Sequence, residues 1–284
     1  MRRLAFIAAL AVAAAAVAGC KSSGMRAEPV ESVAAAAAAP VAPPTPPALV
    51  PPTAGATDSA DSAPAAPSAP EPKWIELTPL IRADRASRTV ELRATAVLEV
   101  GFLEQYVCLV GTREHEALFA FEGKASEVHA ALLLVGIEAG EPGRWREVTR
   151  DDGSLAVEGV APRGGEIAIE VLIEGRDPLP LEHFVRASPV VPALDGARPP
   201  SRFVFAGSRI YRNPRTGAER YVADGSGSLV GLVTFGDETI AAVEVIPDQA
   251  SAATPLWEVF SERMPKPGTR VTLRLRGAAS DTPR

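Results

Sequence analysis

Apolar and polar side chains alternate over residues 89–99, with Val90, Leu92, Ala94 and Ala96 set against Glu91, Arg93 and Thr95. A two-residue period is what a strand with one buried face requires. Gly101 then precedes residues 102–110, rich in aromatic and β-branched side chains, which predicts a second strand paired with the first. Gly111-Thr112 predicts a turn, and residues 117–121 a third strand. The period lengthens over residues 126–135, where Val128, Leu132 and Val135 fall along one face of a helix. Ser126 is its candidate cap, and Gly136 stands where a left-handed stop is favoured. Ala130, Ala131, Leu133 and Leu134 leave little polar surface, so this helix is expected to be buried on most sides.

Beyond Gly140, Pro142 and Gly143 the pattern is that of strands. Residues 166–174 alternate through Ile167, Ile169, Val171 and Ile173, and further strands are expected at 202–206, 220–223, 228–235, 240–246 and 269–276. Asn213-Pro214, Thr216-Gly217 and Gly225-Ser226-Gly227 suit tight connections between them. The proline- and glycine-rich stretch 189–200 is either a long loop or a boundary between halves. Residues 73–284 therefore read as an α+β fold, predominantly antiparallel β with one short buried helix.

The amino-terminal pattern is different. Arg2 and Arg3 precede an unbroken apolar run over residues 4–17, and Ala18-Gly19 place small side chains before Cys20. This is the layout of a lipoprotein signal, so residues 1–19 are expected to be removed and Cys20 to carry lipid. A diacylglyceryl thioether with an amide-linked acyl chain supplies the two signals that stable anchoring takes. The membrane is thus the expected first partner, and Lys21, where an aspartate would signal inner-membrane retention, favours the outer membrane. Residues 21–72 are rich in alanine and proline and poor in large apolar side chains, the composition of a disordered tether. At about 3.1 Å per residue such a tether would reach roughly 160 Å.

Composition narrows the chemistry. The 46% apolar content overstates the core, because much of it is alanine in the signal and tether. Thirty-five acidic side chains outnumber 29 basic ones, two of which are Arg2 and Arg3, and no basic stripe appears, which disfavours nucleic acid as a partner. With Cys20 lipidated, Cys108 is the one remaining thiol, leaving no intramolecular disulfide and no cysteine-rich zinc or iron–sulfur site.

Phe102-Leu-Glu-Gln-Tyr-Val-Cys-Leu-Val-Gly-Thr-Arg-Glu-His-Glu-Ala-Leu-Phe, followed by Ser126-Glu-Val-His-Ala-Ala-Leu-Leu-Leu-Val-Gly, resembles the YdjY-like domain family. The resembling pattern is a glutamate before an apolar strand, then a His-Glu pair, then a His-Ala-Ala-Leu helix ending in glycine. Tyr221-Val-Ala-Asp-Gly and Met264-Pro-Lys-Pro-Gly-Thr-Arg-Val-Thr-Leu are similar too, so the resemblance spans most of residues 74–276. It implies no particular reaction. A ferredoxin-like role, described for some members, needs four cysteines that this chain does not have.

Glu114-His115-Glu116 and His129 are the clustered groups with metal or acid–base potential. A regular strand would point His115 to one face and Glu114 and Glu116 to the other, which works against one metal gathering His115 and Glu116. Cys108 lies on a strand face with Tyr106 and Val110 and reads as a buried small hydrophobe. Gly225-Ser226-Gly227-Ser228 lacks the serine-centred spacing of a nucleophile elbow, and His183 has no partner in sequence. The expectation is an anchored envelope protein that binds an unidentified partner or ligand, with His115, Glu116 and His129 as candidate binding residues, no catalytic residue, no metal and no cofactor. The rival is a metal-assisted hydrolase using the same three residues. His129, amid Val128, Ala130, Ala131 and Leu132, is expected to be partly buried and bonded to His115 or an adjacent glutamate.

Overall fold

The computed structural model describes residues 72–194, 196–248 and 255–278, all within one compact unit, Ala65–Arg284. Cys20 and the tether lie outside the described residues. The strands in chain order begin with β1 (Ile75–Thr78), β2 (Ile81–Asp84), β3 (Thr89–Ala96), β4 (Gln105–Leu109) and β5 (Ala117–Phe121). Helix α1 (Ala125–Leu134) follows, then β6 (Arg144–Thr149), β7 (Leu155–Val160), β8 (Glu166–Leu172), β9 (Leu179–Pro180) and β10 (Val185–Ala187). The last third holds β11 (Phe203–Val204), β12 (Ile210–Arg212), β13 (Glu219–Tyr221), the short helix α2 (Val222–Ser226), β14 (Ser228–Gly231), β15 (Ile240–Ala242), β16 (Trp257–Val259) and β17 (Arg270–Gly277).

Eight of these strands close a barrel in the order β3, β17, β8, β11, β15, β14, β4, β5 and back to β3. The seam is Ala94–Ala96 of β3 against Phe119–Phe121 of β5. Alternation along the wall does what the sequence predicts: Val90, Leu92 and Ala94 of β3, Ile167, Ile169 and Val171 of β8, and Val271, Leu273 and Leu275 of β17 are buried. Phe119 and Phe121 share the face of their partners Ala96 and Ala94, and Phe119 meets Phe184 edge-on at 5.7 Å. The described residues are thus mostly β with few helices and most strand pairings are antiparallel, as expected, but the barrel is mixed and not purely antiparallel. β4 runs parallel to β5, and β14 parallel to β15. Apolar alternation specifies which face a strand buries, not the direction of its neighbour. Parallel neighbours ordinarily need a crossover of about a dozen residues or more. Here residues 110–116 and 232–239 suffice.

Other sequence expectations need correction. The second strand does not pair with the first: β4 lies between β5 and β14, while β3 pairs with β2, β17 and, at its end, β5. Residues 114–116 form a 3₁₀ turn instead of extending the third strand, so His115 is not on a strand face. The segment 220–223 is a strand only to Tyr221, where α2 begins. Helix α1 starts one residue early and is buried along one face only, through Ala125, Val128, Ala131 and Leu132, with Leu133 49% exposed. It packs on β2, β3 and α2, and its other side meets solvent. Gly136 does end it in the left-handed region, at φ +76°. Ser126 is not the cap; that position is Lys124, whose N–H donates to Glu127 Oε2 at 3.2 Å.

Candidate functional site

Helix α2 is a single turn, stopped by Gly227 at φ +82° with its N–H on the Ala223 carbonyl. A β-carbon at Gly227 would collide with Thr112 Oγ1, so the glycine answers both a backbone and a packing demand. The Gly-Ser-Gly stretch is therefore a helix stop and not a plain hairpin. Around this turn the chain gathers the first turn of α1, both crossover loops and residues 207–208.

On the α1 side, the Ser126 N–H and hydroxyl donate to the two Asp224 oxygens at 2.8 and 2.7 Å, an exchange that satisfies an orphan N–H of the helix start. His129, one turn further on, bonds through Nδ1 to Tyr221 Oη at 3.0 Å, and Tyr221 Oη lies 3.2 Å from Thr239 Oγ1. Edge-on contacts with Phe205 at 4.7 Å and Tyr221 at 5.3 Å hold the imidazole. Burial lowers the His129 pKa, against an opposing backbone hydrogen bond at Gly207, and burial pushes the Tyr221 phenol up to about 12. Both groups are neutral at pH 7, so the tyrosine's one proton goes to one neighbour while its oxygen accepts from the other.

Ser208 closes this side. It is a non-glycine residue at φ +52°, a strained conformation held by bonds to its N–H and hydroxyl. Its N–H donates to the Glu238 carbonyl at 2.9 Å and its hydroxyl to the Asp237 carbonyl at 2.5 Å, while it accepts from the Ala223 N–H at 3.3 Å. The Glu238 carboxylate is buried, takes the N–H groups of Phe235 and Gly236, and has its pKa raised by that burial.

On the other side of α2 the crossover loops are tied to each other. The Arg113 guanidinium lies 4.2 Å over the Phe235 ring, donates Nη1 to Glu116 Oε1 at 2.9 Å and Nε to the Ser226 carbonyl at 3.3 Å. Glu104 joins the same loops through its backbone, its N–H on the Glu116 carbonyl and its carbonyl taking Leu232 and Val233 N–H. Glu116 Oε2 is 3.8 Å from His115 Nε2. His115 itself is 77% exposed at the side chain, against 16% for Glu116 and 26% for Arg113.

The predicted residues thus divide. His115 and Glu116 are neighbours on one side of α2, and His129 is on the other, with Tyr221 as its partner instead of His115 or a glutamate. Among the described residues no three or more His, Cys, Asp or Glu are grouped to hold a metal. Cys108 is fully buried beside Ala117 and Ala120, with its thiol pushed up to about 11 by burial, which removes the thiolate a nucleophile needs. Arg113, Ser208, Phe235 and Thr239 carry no local signal of their part, because each has a partner distant in sequence. Tyr221 and Asp224 lie in Tyr221-Val-Ala-Asp-Gly, where nothing local signals their partners His129 and Ser126.

A family model described as the YdjY domain matches residues 81–276. The chain belongs to the YdjY family. The match runs from the start of β2 almost to the end of β17, so the YdjY domain takes in the whole barrel and every residue of the α2 cluster. Searches of curated proteins and of solved structures returned no match.

Proposed function

We propose that this protein is a lipid-anchored component of the cell envelope, at the outer membrane, whose YdjY domain binds a partner or ligand at the surface carrying His115 and Glu116. The observation that carries this reading is the Arg113 bridge. One guanidinium spans both crossover loops and α2, so Glu116 is held at 2.9 Å and His115 is presented to solvent from a fixed turn. A prearranged polar surface binds at lower entropic cost than a mobile one. On the other side of α2, His129 and Tyr221 are engaged with each other and Tyr221 with Thr239, so the exposed polar groups of this region are His115 and its neighbours. The anchor is supported by Val17-Ala18-Gly19-Cys20 and the residues before it.

Two measurements test the reading. Intact mass of the cell-derived protein is expected to show an acylated chain beginning at Cys20, and Cys20→Ala to abolish the acylation; an unlipidated wild-type chain starting elsewhere removes the anchor. A photoreactive residue at His115 in the intact lipoprotein is expected to give discrete envelope adducts that Arg113→Ala abolishes without lowering the melting temperature by more than a few degrees. Adducts indifferent to Arg113→Ala would sink the binding surface.

A further inference from the structure

Neighbouring strands β2, β3 and β17 carry a row of arginines that are not treated alike. Arg82 and Arg274 share the buried Glu91, at 2.5 and 2.8 Å, and Arg276 reaches Glu170 at 3.8 Å. Farther along the same strands that neutralisation stops. Arg93 stands opposite Thr272, and Arg270 opposite Thr95, so two cations lie diagonally on neighbouring strands with threonines where carboxylates would balance them. Arg176, in the turn after β8, is close to the same place. None of these three arginines forms an ion pair among the described residues. All three line one groove of about 760 Å³, together with Thr95 and Thr272. Ala120, the β5 partner of Thr95, leaves the groove unfilled on that side. Glu122, just past β5, and Glu174, just past β8, line it on the two flanking strands, with β3 and β17 between them.

We propose that this groove binds a phosphate-bearing ligand whose other end carries an ammonium or hydroxyl group. Diagonal neighbours on adjacent strands are within reach of side chains as long as arginine, so one oxyanion can meet both guanidinium groups at this point. Guanidinium forks match phosphate oxygens in pairs, and two threonine hydroxyls add donors to the groove. The flanking carboxylates Glu122 and Glu174 repel a second anionic group and accept N–H or O–H from the rest of the ligand. That arrangement selects a compact phosphomonoester or phosphodiester with a cationic or hydroxylated end, and disfavours a polyanion. A phospholipid headgroup and a free phosphate ester share this chemistry. None of Arg113, His115 and Glu116 lines the groove, so it can fail while the binding surface above stands, and the reverse.

Calorimetric titration of the full chain at low ionic strength decides it, with inorganic phosphate, phosphoethanolamine and dihexanoyl phosphatidylethanolamine as probes. Phosphoethanolamine is expected to bind saturably at one site, more tightly than inorganic phosphate and more weakly as salt rises. Arg93→Gln and Arg270→Gln, both on exposed side chains, are each expected to weaken it about tenfold, the cost of losing a charge-assisted hydrogen bond. Arg176→Gln, in a turn outside the barrel wall, provides a variant that does not touch the strands, and Arg276→Gln is expected to leave binding unchanged. Tighter binding of the short-chain lipid than of phosphoethanolamine identifies a membrane headgroup as the source, and equal binding a free ester. The proposal is overturned by the lack of saturable binding at millimolar phosphoethanolamine, or by equal weakening in Arg276→Gln and Arg93→Gln. Inorganic phosphate binding as tightly as phosphoethanolamine would overturn the assignment of the cationic end.

Discussion

His129 shows how much a single side chain's role depends on what is folded against it. Its place among Val128, Ala130, Ala131 and Leu132 reads correctly as partly buried, yet its partner Tyr221 is 92 residues away and could not be named from either neighbourhood. The lowered pKa has a consequence for stability. In the unfolded chain the imidazole takes up its proton near pH 6.5, whereas the folded state resists it until lower pH. The contribution is therefore complete above about pH 6.5 and is lost as pH falls through the folded value. Thermal melts at pH 7.5 and 5 are expected to show a larger drop for the wild type than for His129→Gln; equal drops would mean that His129 is not the group responsible. Tyr221→Phe removes the hydroxyl between His129 and Thr239 and is expected to cost about 1 kcal/mol in urea unfolding. Cys108, buried and with its thiol near pKa 11, is expected to resist iodoacetamide at pH 8 in the folded protein and to react once urea unfolds it, in a chain carrying Cys20→Ala. Labelling at the rate of a free thiol under native conditions would contradict its burial.

At the scale of elements, α2 is the piece that sequence patterning hides. Five residues are too few for a helical period, and Gly225-Ser226-Gly227 looks like a loop from either side. Its two glycines differ sharply in the structure. Gly227 holds φ +82° against Thr112, whereas Gly225 has open space where a β-carbon would go and no left-handed backbone. Gly227→Ala is accordingly expected to destabilise the domain by about 1–3 kcal/mol. Gly225→Ala is expected to be neutral or to stabilise by up to about 1 kcal/mol through the unfolded state. Equal effects of the two substitutions in equilibrium unfolding would contradict this account of the turn. Helix α1, by contrast, was legible because it is long enough to show its period and ends at a glycine that takes a positive φ. What could not be read was its surroundings. Asp224, not a local cap, receives Ser126, so burial of the helix on most sides gave way to burial on one.

At the largest scale the described residues form a closed barrel with outlying pieces, and their stability should follow that division. Barrel amides have no open edge along β17, β8 or β4, while β6 and β7 pair only with each other and expose Trp145, Leu155 and Val157 at 41, 72 and 64%. An isolated two-stranded ribbon is marginal in water. Native-state hydrogen exchange is expected to protect β17 amides to the level of global unfolding and to release β6 and β7 amides through local opening. Comparable protection in both would show that the ribbon is held by more than its own ladder. By itself the sequence determined which faces are buried, because a side-chain period of two is a local property: Val90, Leu92, Ile169, Val171, Leu273 and Leu275 all point inward as their alternation demands. It determined as well the family resemblance and the proximity of His115 to Glu116. Only the tertiary structure decided that β4 lies parallel to β5, that β3 meets β5 to close the barrel, and that His129 faces Tyr221 while Arg113 faces Phe235. Strand direction and partner choice are settled by which pairing buries the most surface with every backbone group satisfied, and that sum runs over the whole chain at once.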